Sequence, residues 1–119
     1  MNVPKMLRSF KYAFQGIWVL MQENNARFHL FATVVVVLTG LLIGLSSAEW
    51  SITCIIIGLV WVAEAFNTAI EKLCDFVSAE HHPLIGKLKD LSAAAVLIIS
   101  CIAVIIGIII FLPKILANL

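Results

Sequence analysis

Leu91–Pro113, LSAAAVLIISCIAVIIGIIIFLP, runs without a single formal charge. About 20 predominantly apolar residues cross the hydrocarbon core of a bilayer as a helix, and this stretch meets that length. It has no polar face, so as a helix it needs apolar surroundings on every side. A chain of 119 residues, 62% hydrophobic and 13% charged, cannot supply them as a soluble fold. Soluble domains carry about a quarter charged residues, and small domains bury a smaller share of their surface. The mean hydropathy of +1.08 agrees. The bilayer is the solvent that fits.

Two further segments lie upstream. Phe28–Leu45 is uncharged, with His29, Thr33 and Thr39 as its polar relief. Trp50–Ala63 is also uncharged, and its helical pattern continues through Glu64, Asn67 and Glu71 toward Val77. The expectation is an all-α membrane protein, a single unit over 1–119, with transmembrane helices at 28–45, 50–77 and 91–113. Ser46, followed three residues later by Glu49, has the form of a capping box. Helix two therefore begins just after a short turn, antiparallel to helix one. In the longer connection Ser78–Asp90, Pro83 suits the first turn of a helix leading into the third span.

Residues 4–22 read differently. Met6, Phe10, Ala13, Phe14, Ile17 and Met21 recur on one side at helical spacing, while Lys5, Arg8, Lys11, Gln15 and Gln22 fall elsewhere. Such a helix lies in the membrane interface with its basic residues toward the headgroups, and Trp18 suits that depth. No continuous apolar run is followed by a small-residue cleavage site, so this segment reads as retained. Lys5, Arg8, Lys11 and Arg27 precede helix one, and Lys72, Lys87 and Lys89 flank the second connection. The first turn has no Lys or Arg, and Lys114 alone lies near the far end. The positive-inside rule puts the N-terminus and the Ser78–Asp90 connection in the cytoplasm.

The net charge of +1 provides no basic field for nucleic acid. Cys54, Cys74 and Cys101 are dispersed, without metal or CxxC spacing, and read as small hydrophobes. No GxxxxGK[ST] and no protein-kinase signature is present, so a P-loop is excluded.

The chemistry concentrates on helix two. Glu64, Glu71 and Asp75 fall within about 40° of one another on a helix, with Asn67 about 60° to one side. An ionisable group inside the membrane costs at least about 2.5 kcal/mol on the mildest scale, and such groups face protein or water and mark sites. Carboxylates at two depths can do two jobs. The one nearer the cytoplasm can hold Mg²⁺, which prefers oxygen ligands and substrate phosphates. The deeper one can accept a hydroxyl proton. Lys87 and Lys89 can offset phosphate charge. A proton-coupled transporter using Glu64, and a noncatalytic subunit using the stripe for helix contacts, are the alternatives.

The run Glu64-Ala65-Phe66-Asn67-Thr68-Ala69-Ile70-Glu71-Lys72-Leu73-Cys74-Asp75 resembles the signature of the prokaryotic diacylglycerol kinase family, ExxN[ST]AIExxxD, which includes undecaprenol kinases. The likeness extends through His82, Gly86, Lys89-Asp90 and Ala93-Ala94-Ala95-Val96, and upstream to Glu23 and Arg27. It implies a homotrimer of three-helix protomers, each with an N-terminal surface helix, in the bacterial inner membrane. It implies transfer of the γ-phosphoryl of ATP to a lipid hydroxyl, in sites shared between neighbouring protomers. By position, Glu64 resembles the catalytic base, and Glu23 and Glu71 the ligands of Mg²⁺–ATP. Asn67, Lys89 and Asp90 resemble residues lining the site, and Tyr12, Asp75 and His82 residues near the nucleotide. Ala13 and Ala93 stand where some diacylglycerol-acting members have serine, and His81 where some have tyrosine. These departures lean toward the undecaprenol-acting branch.

Overall fold

A computed structural model of the chain describes residues 1–78, 80 and 82–119. Four helices account for nearly all of them, in the order α1 (Val3–Met21), α2 (Asn24–Ile43), α3 (Ser47–Val77) and α4 (Pro83–Ala117), and no strand occurs among the described residues. Helices α2, α3 and α4 are each long and apolar enough to cross a membrane.

The boundaries follow from local chemistry. In α1, the Asn2 side chain accepts from Lys5 N–H at 3.1 Å, and Pro4 occupies the first turn, where its missing N–H costs nothing. Helix α2 ends at Gly44, whose φ of +79° is the only positive value among the described residues; a side chain there would be strained. The capping box at Ser46 is fully formed. Ser46 Oγ accepts from Glu49 N–H at 3.2 Å, and Glu49 Oε1 accepts from Ser46 N–H at 2.9 Å. Gly40 makes the hairpin close: a Cβ on it would lie 2.8 Å from Trp50 Cη2.

Helix α4 starts eight residues before the uncharged run and continues beyond it. His82 caps it, its Nδ1 accepting from Leu84 N–H at 3.1 Å, and Pro83 opens the first turn. Pro113 does not end the helix. At 1.5 Å per residue α4 is about 52 Å long, against a hydrocarbon core of about 30 Å. Its first turns, with Lys87, Lys89 and Asp90, therefore stand outside the hydrocarbon. A hydrocarbon core that begins at Ser47 ends just past Glu64, which lies about 26 Å along the α3 axis.

Packing inverts the pattern of a soluble domain. The buried apolar residues are Leu20, Ala26, Cys74 and Ile110, whereas Thr53, Glu64, Asn67, Thr68 and Ser92 are buried polar residues. Leu42, Ile55, Val62, Leu97, Val104 and Ile109 point outward. Lipid satisfies those side chains, and polar groups hold the helices together because lipid cannot. Helices α3 and α4 pack along most of their length, with α2 against α3 more thinly. A lysine–carboxylate pair marks each end of the α3–α4 pairing: Glu49 Oε1 to Lys114 Nζ at 3.2 Å, and Asp75 to Lys89. Helix α1 is exposed as far as Val19, with Leu20 buried and Met21 half-buried, and lines a groove with Ala65, Thr68, Ala69 and Lys72 of α3.

Candidate active site

Glu64 is the largest fully buried side chain, at 1% exposure. It sits on the inner face of α3 because Phe66 and Val62 take the outward positions around it. Its Oε2 lies 3.3 Å from Nε2 of His29 on α2. The two atoms are close but not aligned for hydrogen bonding, so Oε2 is left without a hydrogen-bond partner. The His29 ring stands edge-on to Trp61, with centroids 6.2 Å apart. Trp61 Nε1–H donates to Thr33 Oγ1 at 3.0 Å, and the Thr33 hydroxyl donates to the His29 carbonyl at 2.7 Å. One helical turn of α2 is thus tied to α3 at two points.

A second set of contacts begins one turn further along α3. Asn67, 4% exposed, donates from Nδ2 to Glu71 Oε1 at 3.3 Å. Its Oδ1 accepts from Ser92 Oγ–H of α4 at 2.7 Å. Ser92 Oγ also approaches the Lys89 carbonyl at 3.1 Å. The amide is therefore fixed in one orientation, oxygen toward α4 and nitrogen toward Glu71. Beyond it, Asp75 and Lys89 line a small polar pocket of about 220 Å³ with Ser78, Glu80, His82 and Gly86.

The other expected positions fall around this line. Glu23, the N-cap residue of α2, makes no side-chain cap bond. Instead its Oε1 lies 3.2 Å from Lys72 Nζ, beside Glu71. Tyr12 and Asp90 are exposed and make no side-chain hydrogen bond among the described residues. His81 lies outside the described residues. No group of three or more His, Cys, Asp or Glu side chains able to hold a metal converges among the described residues. The carboxylates present nonetheless suit Mg²⁺, which takes one or two carboxylates and completes its shell with substrate phosphates and water.

Two site residues escaped the sequence reading. His29 read as an isolated polar residue in an apolar span, and Ser92 as part of a small-residue run. Both had a signal in register. In a tight antiparallel hairpin, residues equidistant from the turn share a depth. His29 and Glu64 are equidistant from the Gly44–Ser46 turn to within about one helical turn. So are Thr33 and Trp61.

Known proteins bear on this geometry. The family model described as prokaryotic diacylglycerol kinase matches residues 11–111. The undecaprenol kinase of Bacillus subtilis is 41% identical over 114 residues, covering 95% of this chain and 93% of the relative. The diacylglycerol kinase of Synechocystis is 34% identical over 116 residues, covering 96% of this chain and 66% of the relative. That of Haemophilus influenzae is 29% identical over 102 residues, covering 85% and 86%. The matched region takes in the second half of α1, all of α2 and α3, most of α4 and every residue of the buried cluster. The chain belongs to the prokaryotic diacylglycerol kinase family and is a membrane enzyme that transfers a phosphoryl group to an alcohol.

Proposed function

We propose that the chain is an ATP- and Mg²⁺-dependent lipid kinase of the bacterial inner membrane, and that its acceptor is undecaprenol. The observation that carries the kinase reading is the polar line on α3. A fully buried Glu64 stands at the hydrocarbon boundary, and Asn67, Glu71 and Asp75 lead from it toward the lysine-bearing end. A lipid alcohol reaches such a line from the bilayer and a nucleotide reaches it from the cytoplasm. The likeness to an undecaprenol kinase over almost the whole of both chains supports the acceptor. Diacylglycerol is the second reading, supported by the two diacylglycerol kinases that match at lower identity.

In this mechanism Glu64 takes the proton of the acceptor hydroxyl as its oxygen bonds to the γ-phosphorus. The bond from the γ-phosphorus to its bridging oxygen breaks, and ADP leaves with that electron pair. Phosphoryl transfer asks the protein mainly for positioning and charge stabilisation. Glu23 and Glu71 would hold Mg²⁺, which when bound neutralises charge on the β- and γ-phosphates. Asn67 orients Glu71, and Ser92 orients Asn67. Lys89 faces the phosphates, with Asp75, His82, Asp90 and Tyr12 around the nucleotide. The N-terminus and the α3–α4 connection are cytoplasmic, and α1 lies in the interface. Glu71 is half-buried and Asp75 exposed on the single chain. Neighbouring copies in a homotrimer would cover that side of the stripe and share the site.

The test is direct. Purified protein in detergent or lipid, given Mg²⁺ and labelled ATP, is offered undecaprenol and diacylglycerol side by side. Preferential labelling of undecaprenol is expected. Preferential labelling of diacylglycerol would replace the acceptor and keep the kinase. No lipid labelling, together with proton flux in liposomes lacking ATP, would overturn the kinase reading in favour of a transporter.

A further inference from the structure

His29 is an ionisable side chain inside a membrane-crossing helix, and the mechanism above leaves it without a task. Its side chain is only 12% exposed and faces two ways. One side touches Glu64. The other side helps line an apolar groove of about 350 Å³ between α2, α3 and α4, with Phe28, Val36, Val60 and Val104 among its walls. A lipid alcohol moving from the hydrocarbon to Glu64 along that groove passes the imidazole last.

We infer that His29 is a positioning residue for phosphoryl transfer: it holds the Glu64 carboxylate toward the acceptor hydroxyl. The inference rests on the lipid-kinase reading. Three observations carry it. Glu64 Oε2 is buried and has no hydrogen-bond partner, so a lone pair stays free to take a proton. His29 Nε2 lies against Oε2, at 3.3 Å. Finally, His29 is itself immobilised, because its carbonyl accepts from Thr33, Thr33 accepts from Trp61, and Trp61 lies one turn before Glu64 on the same helix. The alternative is that His29 only helps α2 adhere to α3. Gly40 separates the two readings, since a Cβ there would meet Trp50 and disturb the packing of α2 on α3 without touching the tether or Glu64.

The experiment compares His29→Ala, His29→Gln, Gly40→Ala and Glu64→Gln, and the His29→Ala/Glu64→Gln double variant. Each is purified in its native oligomeric state, checked by size exclusion and thermal unfolding. A misplacement of about 1 Å at a reacting group costs on the order of a hundredfold in rate. His29→Ala should therefore lower kcat by about tenfold or more, with KM for ATP held within about twofold. His29→Gln, which keeps a polar side chain against Oε2, should recover part of the loss. Gly40→Ala should lower the melting temperature while holding kcat. Against the residual activity of Glu64→Gln, His29→Ala should cost little more, because residues acting as a unit are not additive. The inference is overturned if His29→Ala keeps wild-type kcat, if its loss repeats in full on Glu64→Gln, or if Gly40→Ala lowers kcat equally. Should His29→Ala fail to fold, His29→Gln decides by the same comparison. Wild-type activity in Glu64→Gln would instead sink the base assignment, so the two failures can be told apart.

Discussion

The two halves of α3 are held by opposite means. From Ser47 to Ala63 the helix is anchored at its tip, by the Ser46–Glu49 capping box and the Glu49–Lys114 pair. Most of its length there faces lipid, with Ile55, Leu59 and Val62 exposed. From Glu64 to Asp75 the anchoring runs along the inner face, through His29, Ser92 and Lys89 on two other helices. Charges at the tip reach the aqueous boundary and cost little. A charge at Glu64 is enclosed, and a fold keeps such a group only where packing and partners compensate. The comparison teaches that a carboxylate's position along one helix separates an anchor from a working group.

Variants can break or sharpen this contrast. Glu64→Gln should have the largest effect, since a general base contributes about 10²- to 10⁴-fold. Labelled-ATP turnover should fall in that range while the size-exclusion profile and the melting temperature persist; a folded variant with full turnover would erase the distinction between the halves. Glu71→Gln should raise the half-saturating Mg²⁺ concentration by at least about tenfold, as loss of groups around a metal commonly does. A Mg²⁺ titration of kinase rate checks it, and an unmoved midpoint would remove Glu71 from the metal site.

Next comes Gly40→Ala. An added Cβ would meet Trp50 at 2.8 Å, and overpacking costs about 1–3 kcal/mol. Thermal unfolding should shift downward with KM for ATP unchanged. Ser92→Ala removes the donor to a buried amide, a loss of about 1 kcal/mol. It should slow turnover several-fold because Asn67 no longer has a fixed orientation toward Glu71. Glu49→Gln should be the mildest change. Its partner is at the protein edge, so turnover should match the unmodified protein in the same assay. A turnover loss comparable to that of Ser92→Ala would mean that the tip of α3 also supports the site.

Much of the fold was legible along the chain. The capping box at Ser46, the Pro83 start of α4 and the three apolar runs all rest on neighbours within four residues. The helices nevertheless outran the apolar segments, because helical hydrogen bonding continues past the membrane edge wherever propensity allows. Helix α2 begins at Asn24, four residues before its apolar run, and α4 extends from Pro83 to Ala117, past both ends of 91–113. The stripe of Glu64, Asn67, Glu71 and Asp75 was also legible, since one helix sets its geometry. What the stripe touches was not. Nothing in the local spacing joined Ser92 to Asn67 or Lys89 to Asp75 until α4 packed against α3.

The sequence by itself determined that this chain lives in a bilayer, that it has three spanning helices, and that acidic residues line one side of the second. Those properties depend on composition and on periodicity within a segment. Only the tertiary structure decided that Glu64 is fully enclosed and faces His29, that Asn67 is clamped between Ser92 and Glu71, and that Glu23 meets Lys72. Those contacts join helices 25 to 49 residues apart in sequence, apart from the Asn67–Glu71 bond within α3. Which side chains meet there depends on the rotation and register of one packed helix against another, and local spacing does not specify either.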